Sequence, residues 1–431
     1  MADLKIPSDF KLGVSTASYQ IEGAIHADGK GESVWDRFTH TPGKIERGEN
    51  ADVATDHYHR WEEDLDLISR ANLDVYRFSV AWPRVQPTGT GPANAAGLDF
   101  YDRLVDGCLA RGIEPWVCLF HWDLPQALED RGGWPNPDTA RWYADYAGLV
   151  ARRLGDRAAR WVTFNEPSNP ALRGYGNGLH APGRTDWDDA VRAVHTFNRA
   201  HVLGADRLRD EIGTVLALNA YLPFDEDEAA DREAAQRTDD LHHGSFTQPV
   251  VAGTYPERLL DRYEALSADA DLIARAPDTL TWLGVNYYGP FYVSATGGEW
   301  SARPGKPTTA LGWEIDPRGM TDWLVRLHES GFDKPLFVTE NGFPLEGERV
   351  VDGRVDDRAR IDFLRAHIQA TLDAREKGVD VRGYLAWTLV DNFEWAFGWR
   401  TRFGLVHLDR ETCDRTPKDS YHWLAEVAGA R

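Results

Sequence analysis

Cysteine is scarce in this sequence, and its spacing excludes two common kinds of structural site. The 431 residues contain three cysteines, Cys108, Cys118 and Cys413, an odd number scattered along the chain with no paired spacing. Disulfide frameworks and zinc sites both need closely patterned cysteines. We therefore expect three reduced thiols in an intracellular protein.

Positive charge is also in short supply, and long apolar runs are missing. Lysine and arginine number 48 against 69 acidic residues, which gives a net charge of −21. This balance argues against nucleic acid or an anionic membrane as a partner, because both are densely negative. The first residues, MADLKIPSDF, show no basic segment followed by an apolar one, and no run approaches a membrane span. We expect a cytoplasmic protein without a membrane partner, and its oligomeric state is unknown at this stage.

Nucleotide and metal motifs are likewise missing. The segment GVSTASYQIEG (13–23) lacks the G-x-G-x-x-G pattern of a phosphate-binding turn, so no cofactor is expected. His57 and His59 lie two positions apart, and on a helix their side chains would diverge too far to share an ion. His242 and His243 adjoin an acidic segment, where surface placement is the simpler expectation.

Short apolar segments recur along the whole chain and alternate with amphipathic ones. Amphipathic segments such as 61–72, 98–112, 321–331 and 359–378 predict helices, of which the last three end in glycine. Repeated strand and helix segments imply parallel strands with crossover helices. Eight strands are predicted, at Leu12–Ala17, Val75–Val80, Pro115–Phe120, Trp161–Phe164, Thr214–Leu218, Leu283–Val285, Leu336–Thr339 and Tyr384–Leu389.

This pattern favours one α/β domain over residues 1–431, a (β/α)8 TIM barrel with extended βα loops. A doubly wound open sheet is the alternative, and the missing glycine-rich turn counts against it. No linker divides the chain, although residues 226–240 are very polar. That segment could be a mobile insertion or a helix, and we favour a solvated helix.

Polar or aromatic residues stand within or after seven of these eight strands. They are Gln20, Arg77, His121, Asn165-Glu166, Asn286 with Tyr287-Tyr288, Glu340-Asn341 and Trp387. In a barrel the carboxyl ends of all strands meet at one mouth, where active sites are built. These side chains are therefore expected to share a cavity.

Two of them are glutamates, Glu166 in the segment TFNEP and Glu340 in VTENG. A buried carboxylate without a partner is costly, so each glutamate either belongs to an ion pair or performs chemistry. Glycosidic bond cleavage needs two carboxyl groups on opposite sides of the anomeric carbon. The matching positions of the pair favour that chemistry over two separate ion pairs.

The chain closely resembles glycoside hydrolase family 1, the β-glucosidase family, almost from end to end. The resemblance rests on FKLGVSTASYQIEGA, TFNEP, NGLHAPG, LGVNYYGP, LGWEI, VTENG and GYLAWTLVDNFEWAFGWRTRFGLVHLD, in that order. It implies that Glu166 is the general acid/base and Glu340 the nucleophile of a retaining mechanism, with carboxyl groups roughly 5–5.5 Å apart. It also implies that Tyr288 orients the nucleophile. Arg77, placed after the second strand, is a suitable cation to keep Glu340 ionised.

The resemblance implies a sugar-binding set as well. Gln20, His121, Glu394 and Trp395 match positions that bind the hydroxyl groups of the terminal sugar, and Asn165 matches the position beside the anomeric carbon. Trp387 would stack on the sugar, while Trp313 and Trp35 are candidates for the aglycone side. His180 and Asn286 match positions near the pocket, with a direct or an indirect role, and Phe403 joins the predicted substrate-binding set.

The expected substrates are small carbohydrates with a terminal β-linked glucose, such as cellobiose, or aryl glycosides. Glu394 would repel a phosphate group on the sugar, which favours unphosphorylated substrates even though Arg400 and Arg402 follow it. Glucose is not distinguished from galactose or fucose. Two alternatives stay open, namely an endo-acting barrel glycosidase such as a xylanase and a non-catalytic sugar-binding barrel.

Overall fold

A closed barrel of eight parallel strands forms the centre of the protein. The computed structural model describes residues 4–264 and 269–431. Its strands are β1 (Lys11–Ser15), β2 (Val75–Ser79), β3 (Glu114–Cys118), β4 (Arg160–Asn165), β5 (Ile212–Ala217), β6 (Ala220–Pro223), β7 (Trp282–Asn286), β8 (Pro290–Ser294), β9 (Gly298–Trp300), β10 (Leu336–Asn341), β11 (Val381–Trp387), β12 (Val406–Leu408) and β13 (Arg415–Pro417). The barrel order is β1-β2-β3-β4-β5-β7-β10-β11, and β11 pairs in parallel with β1 to close it. The predicted TIM barrel is confirmed.

Helices connect the strands, as the alternating pattern predicted. They are α1 (Ser18–Ile21), α2 (Val34–Thr39), α3 (His57–Arg70), α4 (Trp82–Val85), α5 (Ala95–Ala110), α6 (Gln126–Glu129), α7 (Thr139–Leu154), α8 (Trp187–Ala205), α9 (Ala229–Asp239), α10 (Ser245–Ala252), α11 (Leu260–Glu264), α12 (Ala270–Ile273), α13 (Ala276–Thr279), α14 (Pro317–Glu329), α15 (Arg358–Glu376) and α16 (Asp419–Gly429). Within the described ranges, no helix combines the length and apolar character that crossing a bilayer requires.

Local residues set where these helices begin and end. The Asp186 side chain accepts hydrogen bonds from the backbone N–H groups of Asp188 and Asp189 at 2.9 and 3.1 Å, which caps α8. Gly331 and Gly378 follow α14 and α15 with φ of 89° and 92°. Glycine adopts this left-handed conformation without a Cβ penalty, so both helices stop there.

Aromatic side chains close the amino-terminal end of the barrel. Trp116 and Trp282 are fully buried with ring centroids 5.2 Å apart, and the ring of Phe337 meets Trp116 edge-on at 4.9 Å. The Arg160 guanidinium lies over the Trp116 ring at 5.1 Å. The barrel interior is therefore a packed core below its polar mouth.

The polar segment 226–240 is helical, but its prediction as a solvated helix is only half right. It contains α9, which packs Ala234 and Ala235 against Val293 of β8. Asp231 accepts hydrogen bonds from the N–H groups of Asp225 and Ala295. One face of the helix thus stabilises the small outer sheet of β6, β8 and β9.

Of the two histidine pairs, only His59 is exposed, so the expected surface placement of His242 and His243 is wrong. His243 is buried and its Nδ1 lies 2.7 Å from Asp239 Oδ1, while His242 is half-buried. His57 is also buried, with Nδ1 2.7 Å from Asp64 Oδ2. Each of these imidazoles has an acidic or core partner that the local sequence does not reveal. The three cysteines are free and buried, which confirms the absence of disulfides among them.

Candidate active site

Glu166 stands directly after β4, at the mouth of the barrel. Its backbone has φ of 47°, a conformation that non-glycine residues adopt mainly where surrounding structure enforces it. Its Oε1 accepts a hydrogen bond from Asn286 Nδ2 at 2.8 Å, and its Oε2 accepts one from Asn169 Nδ2. Burial, and secondly the negative charge of Glu340, raises the pKa of Glu166 to about 8. This carboxyl group is therefore protonated at neutral pH.

Glu340 lies near the end of β10 and has a different set of partners. Its Oε1 accepts a hydrogen bond from Arg77 Nη2, and its Oε2 accepts one from the Tyr288 hydroxyl group at 2.9 Å. Burial raises the pKa of Glu340, and Arg77 and Tyr288 oppose that rise. A cation in direct contact favours the charged form of Glu340, and Glu166 has no such contact.

Arg77 does not follow the second strand, as the sequence suggested, but lies in the middle of β2. β2 pairs with β1 so that Arg77 stands beside Ser15, and Arg77 Nε donates to Ser15 Oγ at 3.1 Å. Its side chain points into the barrel because inward and outward positions alternate along a strand. The predicted partnership with Glu340 is present in spite of the misplaced position.

A hydrogen-bond network joins the two glutamates across the barrel. Asn286 Nδ2 contacts both Glu166 Oε1 and, at 3.1 Å, Asn165 Oδ1. Asn165 Oδ1 also accepts from Arg77 Nη1 at 2.9 Å, and Arg77 reaches Glu340. Residues from four strands thus fix the two carboxyl groups relative to one another, and both glutamates line one cavity.

That cavity has a volume of about 110 Å³. Its lining combines aromatic rings with a few polar groups, as is typical of small-molecule binding sites. The lining residues are His121, Trp122, Glu166, Asn169, Arg173, His180, Asn219, Tyr288, Phe291, Trp313, Glu340, Trp387, Glu394, Trp395, Phe397 and Phe403. Of the predicted substrate-binding residues, His121, His180, Trp313, Trp387, Glu394, Trp395 and Phe403 line it directly.

Gln20 and Glu394 form one polar end of this site. Gln20 Nε2 donates to Glu394 Oε2 at 3.3 Å and to the Phe393 carbonyl oxygen at 2.8 Å. Gln20 Oε1 is buried and has no partner among the described residues. A buried acceptor left free in this way is suited to a hydroxyl donor. Burial, and secondly Glu340, raises the pKa of Glu394 to about 8.

His121 and Asn165 stand on a neighbouring wall. His121 Nε2 lies 3.0 Å from Asn165 Nδ2, so the imidazole nitrogen accepts this hydrogen bond. Burial and the nearby Arg77 lower the pKa of His121 well below its ordinary value, which keeps the ring neutral. Asn165 itself is fully buried beneath the surface of the cavity. The Asn165 amide therefore links two groups: its Nδ2 binds the His121 ring, and its Oδ1 accepts from Arg77.

Trp35 does not reach the cavity, and its predicted contact with the aglycone is wrong. Only 1% of Trp35 is exposed, and its ring packs behind Trp395 at 4.6 Å and against His180 at 5.5 Å. Trp35 therefore supports the wall from behind. Trp313 does line the cavity, with its ring 5.6 Å from that of Tyr288.

Sequence reasoning missed six lining residues. They are Trp122, Asn169, Arg173, Asn219, Phe291 and Phe397. Trp122 directly follows His121, and its φ of 80° turns the chain so that both side chains face the cavity. Asn169 and Arg173 lie in the π-helical segment Asn169–Gly176, and Asn219 and Phe397 lie in a loop and a short 3-10 turn, where no strand periodicity marks them. Phe291 belongs to β8 of the outer sheet, outside the eight strands that guided the prediction.

The chain matches known proteins along nearly its whole length. Residues 3–431 match the model of glycosyl hydrolase family 1. Beta-glucosidase A of Thermotoga maritima is 40% identical over 98% of this chain and 97% of its own length. The beta-glucosidase of an Agrobacterium species is 43% identical over 98% and 95%.

Similar values hold for a bifunctional relative and for a solved structure. The bifunctional beta-D-glucosidase/beta-D-fucosidase of Bifidobacterium breve is 42% identical over 97% of this chain and 96% of its own length. The structure of the Thermotoga maritima beta-glucosidase in complex with glucoimidazole superposes with a TM-score of 0.94 at 40% identity, covering 99% of both chains. The barrel, the paired glutamates and these similarities lead to one conclusion: the chain belongs to glycosyl hydrolase family 1.

Proposed function

We propose that this protein is a retaining β-glycosidase of the β-glucosidase type, acting as a single catalytic domain. One observation carries the proposal: Glu166 and Glu340 face the same small cavity in opposite electrostatic surroundings. One carboxyl group is held protonated by burial, and the other touches a guanidinium group. This is the division that an acid and a nucleophile require.

In the first step Glu340 attacks the anomeric carbon while Glu166 donates its proton to the departing glycosidic oxygen. Arg77 and Tyr288 hold the two oxygens of Glu340, so the attacking carboxylate is fixed in orientation. The bond to the aglycone breaks, and a glycosyl ester forms on Glu340. Esterification removes the negative charge of Glu340, the second cause of the raised Glu166 pKa, and this favours Glu166 as the base.

In the second step Glu166 takes a proton from water, and the resulting hydroxide attacks the anomeric carbon. The ester bond breaks, Glu340 leaves as a carboxylate, and the sugar is released with its original configuration. Asn286 contacts Glu166 directly and Asn165 binds the same network, so both position the reacting groups.

The terminal sugar would be bound by polar groups that line the cavity and by Gln20 and Asn165, which lie directly behind its wall. Gln20, Glu394, Trp395 and His121 would bind hydroxyl groups, Asn165 the hydroxyl beside the anomeric carbon, and Trp387 and Phe403 the apolar face. A cavity of about 110 Å³ is far too small for a row of sugar subsites, which argues against an endo-acting enzyme. Terminal glucosyl and fucosyl units of short oligosaccharides such as cellobiose, or of aryl glycosides, are the proposed substrates. A cytoplasmic location is part of this proposal, supported by three free thiols.

Mechanism-based trapping tests the assignment. The fluorine of a 2,4-dinitrophenyl 2-deoxy-2-fluoro-β-glucoside slows both steps, and the activated leaving group restores the first. A covalent sugar should therefore accumulate on Glu340, to be located by peptide mass spectrometry. The Glu340→Gln variant, with its fold verified by circular dichroism, is the control and should take up no label. A label on Glu166, or turnover without any label, would overturn the assignment.

A further inference from the structure

Arg173 occupies an unusual position in the wall of the catalytic cavity. It lies in the segment Asn169–Gly176 that follows Glu166, it is half-buried, and it lines the same cavity. Within residues 4–264 and 269–431, no carboxylate approaches its guanidinium group within ion-pair distance. A half-buried guanidinium group with no acidic partner gives up hydration without compensation unless a ligand supplies the anion.

The other cations around the cavity are already neutralised. Arg77 binds Glu340, while Arg400 pairs with Glu46 at 2.7 Å and with Glu346 at 3.1 Å. Neither is free to bind an anionic ligand. Arg173 therefore supplies the unpaired positive charge on this wall.

The groups around Arg173 leave its charge largely intact. Burial and Arg173 lower the pKa of His180 to about 3, so this ring is neutral. Burial, with His243 and Arg173 adding to its effect, also lowers the pKa of His242 to about 3, so this ring is neutral as well. Glu299 of β9 feels the charge of Arg173 but makes no ion pair with it.

The position of Arg173 assigns it to the leaving-group side of the cavity. Asn169 holds Glu166 Oε2, and Arg173 follows Asn169 by four residues, about one helical turn, within the same segment. Glu166 protonates the leaving oxygen, so the aglycone departs on this side. Glu394 stands at the opposite, sugar end, where it accepts a hydrogen bond from Gln20.

Aromatic rings accompany Arg173 on this wall. Phe291 and Trp313 line the cavity, and Trp313 packs against Tyr288. Apolar ring faces suit a planar aromatic group, and a guanidinium group binds a carboxylate through charge-assisted hydrogen bonds. Together, the aromatic rings and the guanidinium group suit a leaving group that is an aromatic ring bearing a carboxylate.

We propose that Arg173 forms an anion-binding subsite for the aglycone, and that aryl β-glucosides bearing a carboxylate on the aromatic ring are preferred substrates. This inference rests on the proposed function and adds a substrate class to it. The cleavage chemistry is unchanged, because Arg173 contacts only the leaving group.

The test compares 3- and 4-carboxyphenyl β-glucosides with the matched carbamoylphenyl β-glucosides. For the wild-type enzyme and each variant, kcat/KM for the carboxyphenyl glucoside is divided by kcat/KM for the carbamoylphenyl glucoside. A general loss of activity affects both values equally and does not change this ratio. Replacing Arg173 by Met should lower this ratio about tenfold for at least one isomer, and Arg173→Lys should retain part of it. Arg152→Met, which removes an exposed arginine of α7, is the matched control and should leave the ratio unchanged.

A second measurement needs no variant. Carboxyphenyl 1-thio-β-glucosides should inhibit the wild-type enzyme about tenfold more tightly than their carbamoyl analogues, and added salt should reduce that difference. The subsite proposal is overturned if the carboxyphenyl and carbamoylphenyl inhibitors bind equally well, or if Arg173→Met leaves the kcat/KM ratio unchanged. In either case the enzyme would still cleave the carbamoylphenyl glucosides. Failure to cleave any of these glycosides would overturn the proposed function instead.

Discussion

At the scale of single residues, the environment determines what each glutamate does. Glu166 and Glu340 have the same side chain, yet one receives hydrogen bonds only from amide groups and the other contacts a guanidinium group. Desolvation raises both pKa values, and only direct contact with Arg77 opposes the rise strongly at Glu340. The proton shared between the two sites therefore resides on Glu166.

The pH dependence of catalysis follows from this arrangement. The proposed mechanism requires a protonated Glu166 in the free enzyme, and burial together with the charge of Glu340 raises its pKa to about 8. Raising the pH through that value removes the proton, so kcat/KM should fall above about pH 8, tenfold for each further unit. The measurement is kcat/KM for a phenyl β-glucoside from pH 5 to 10.

The control for this prediction is Glu166→Ala assayed on an activated 2,4-dinitrophenyl β-glucoside, whose departure needs no proton. The alkaline fall should disappear in that variant. If it persists unchanged, a group other than Glu166 is responsible for it.

The sequence predicted which residues would meet at the site better than it predicted which side chains are exposed to the cavity. Glu166, Glu340, Tyr288 and Asn286 meet at one site, as expected from their places near strand ends. Trp35 was misjudged because a tryptophan in a core and one in a binding wall look alike in sequence. A side chain's exposure depends on the loop packed over it, which local patterns do not encode.

At the scale of elements, a buried ionic network supports the loop that carries Glu394, one of the proposed sugar-binding residues. Lys418 Nζ binds Asp391 Oδ1 and Glu348 Oε2, each at 2.8 Å. Asp391 Oδ1 also accepts the backbone N–H of Gly404. The loop between Asp391 and Gly404 contains Glu394. Lys418 therefore holds the two ends of the loop that positions Glu394.

Removing the central cation of this network should be costly. Lys418→Met would remove the cation that two buried carboxylates share, which costs about 3–5 kcal/mol of unfolding free energy. Glu348 would keep Arg360 as a partner at 2.9 Å, while Asp391 would keep only the more distant Arg402 at 3.7 Å. Urea unfolding followed by tryptophan fluorescence measures the loss. KM for a phenyl glucoside should rise as well, because Glu394 loses its support.

The exposed Lys377 provides the comparison for this prediction. Lys377→Met should change stability by no more than about 0.5 kcal/mol. Equal effects of the two substitutions would show that the network contributes nothing.

Elements were predicted well where periodicity was strong and poorly where tertiary contacts decide. All eight barrel strands lie within a few residues of the predicted segments, since buried parallel strands read as apolar runs. The π-helical turn at Asn169–Gly176 left no such pattern, because its hydrogen bonding depends on neighbouring elements. Arg77 was placed too late because a polar residue within a short apolar run resembles the end of a strand.

At the scale of the whole molecule, stability and chemistry occupy opposite ends of the barrel. Trp116, Trp282 and Phe337 fill the amino-terminal end, and the glutamates stand at the carboxyl end. Substitutions at the two ends should therefore have separable effects.

Trp282→Ala tests this separation. The loss of a fully buried indole should destabilise the protein by about 3–5 kcal/mol and lower its denaturation midpoint. KM should stay within about twofold of the wild-type value at temperatures where the variant is folded. Leu109→Ala, at a site that is 45% exposed, should change neither quantity appreciably. A large change in KM for Trp282→Ala would contradict the separation.

The pairing of β11 with β1, which closes the barrel, determines when the site can form during synthesis of the chain. During synthesis Glu166 emerges 340 − 166 = 174 residues ahead of Glu340, and the last barrel strand emerges later still. Asn286, which tethers Glu166, and Arg77, which tethers Glu340, come from different parts of the nascent polypeptide. Both glutamates are present once residue 340 has been synthesised, but the barrel that aligns them closes only when β11 pairs with β1, so the site is completed late in synthesis.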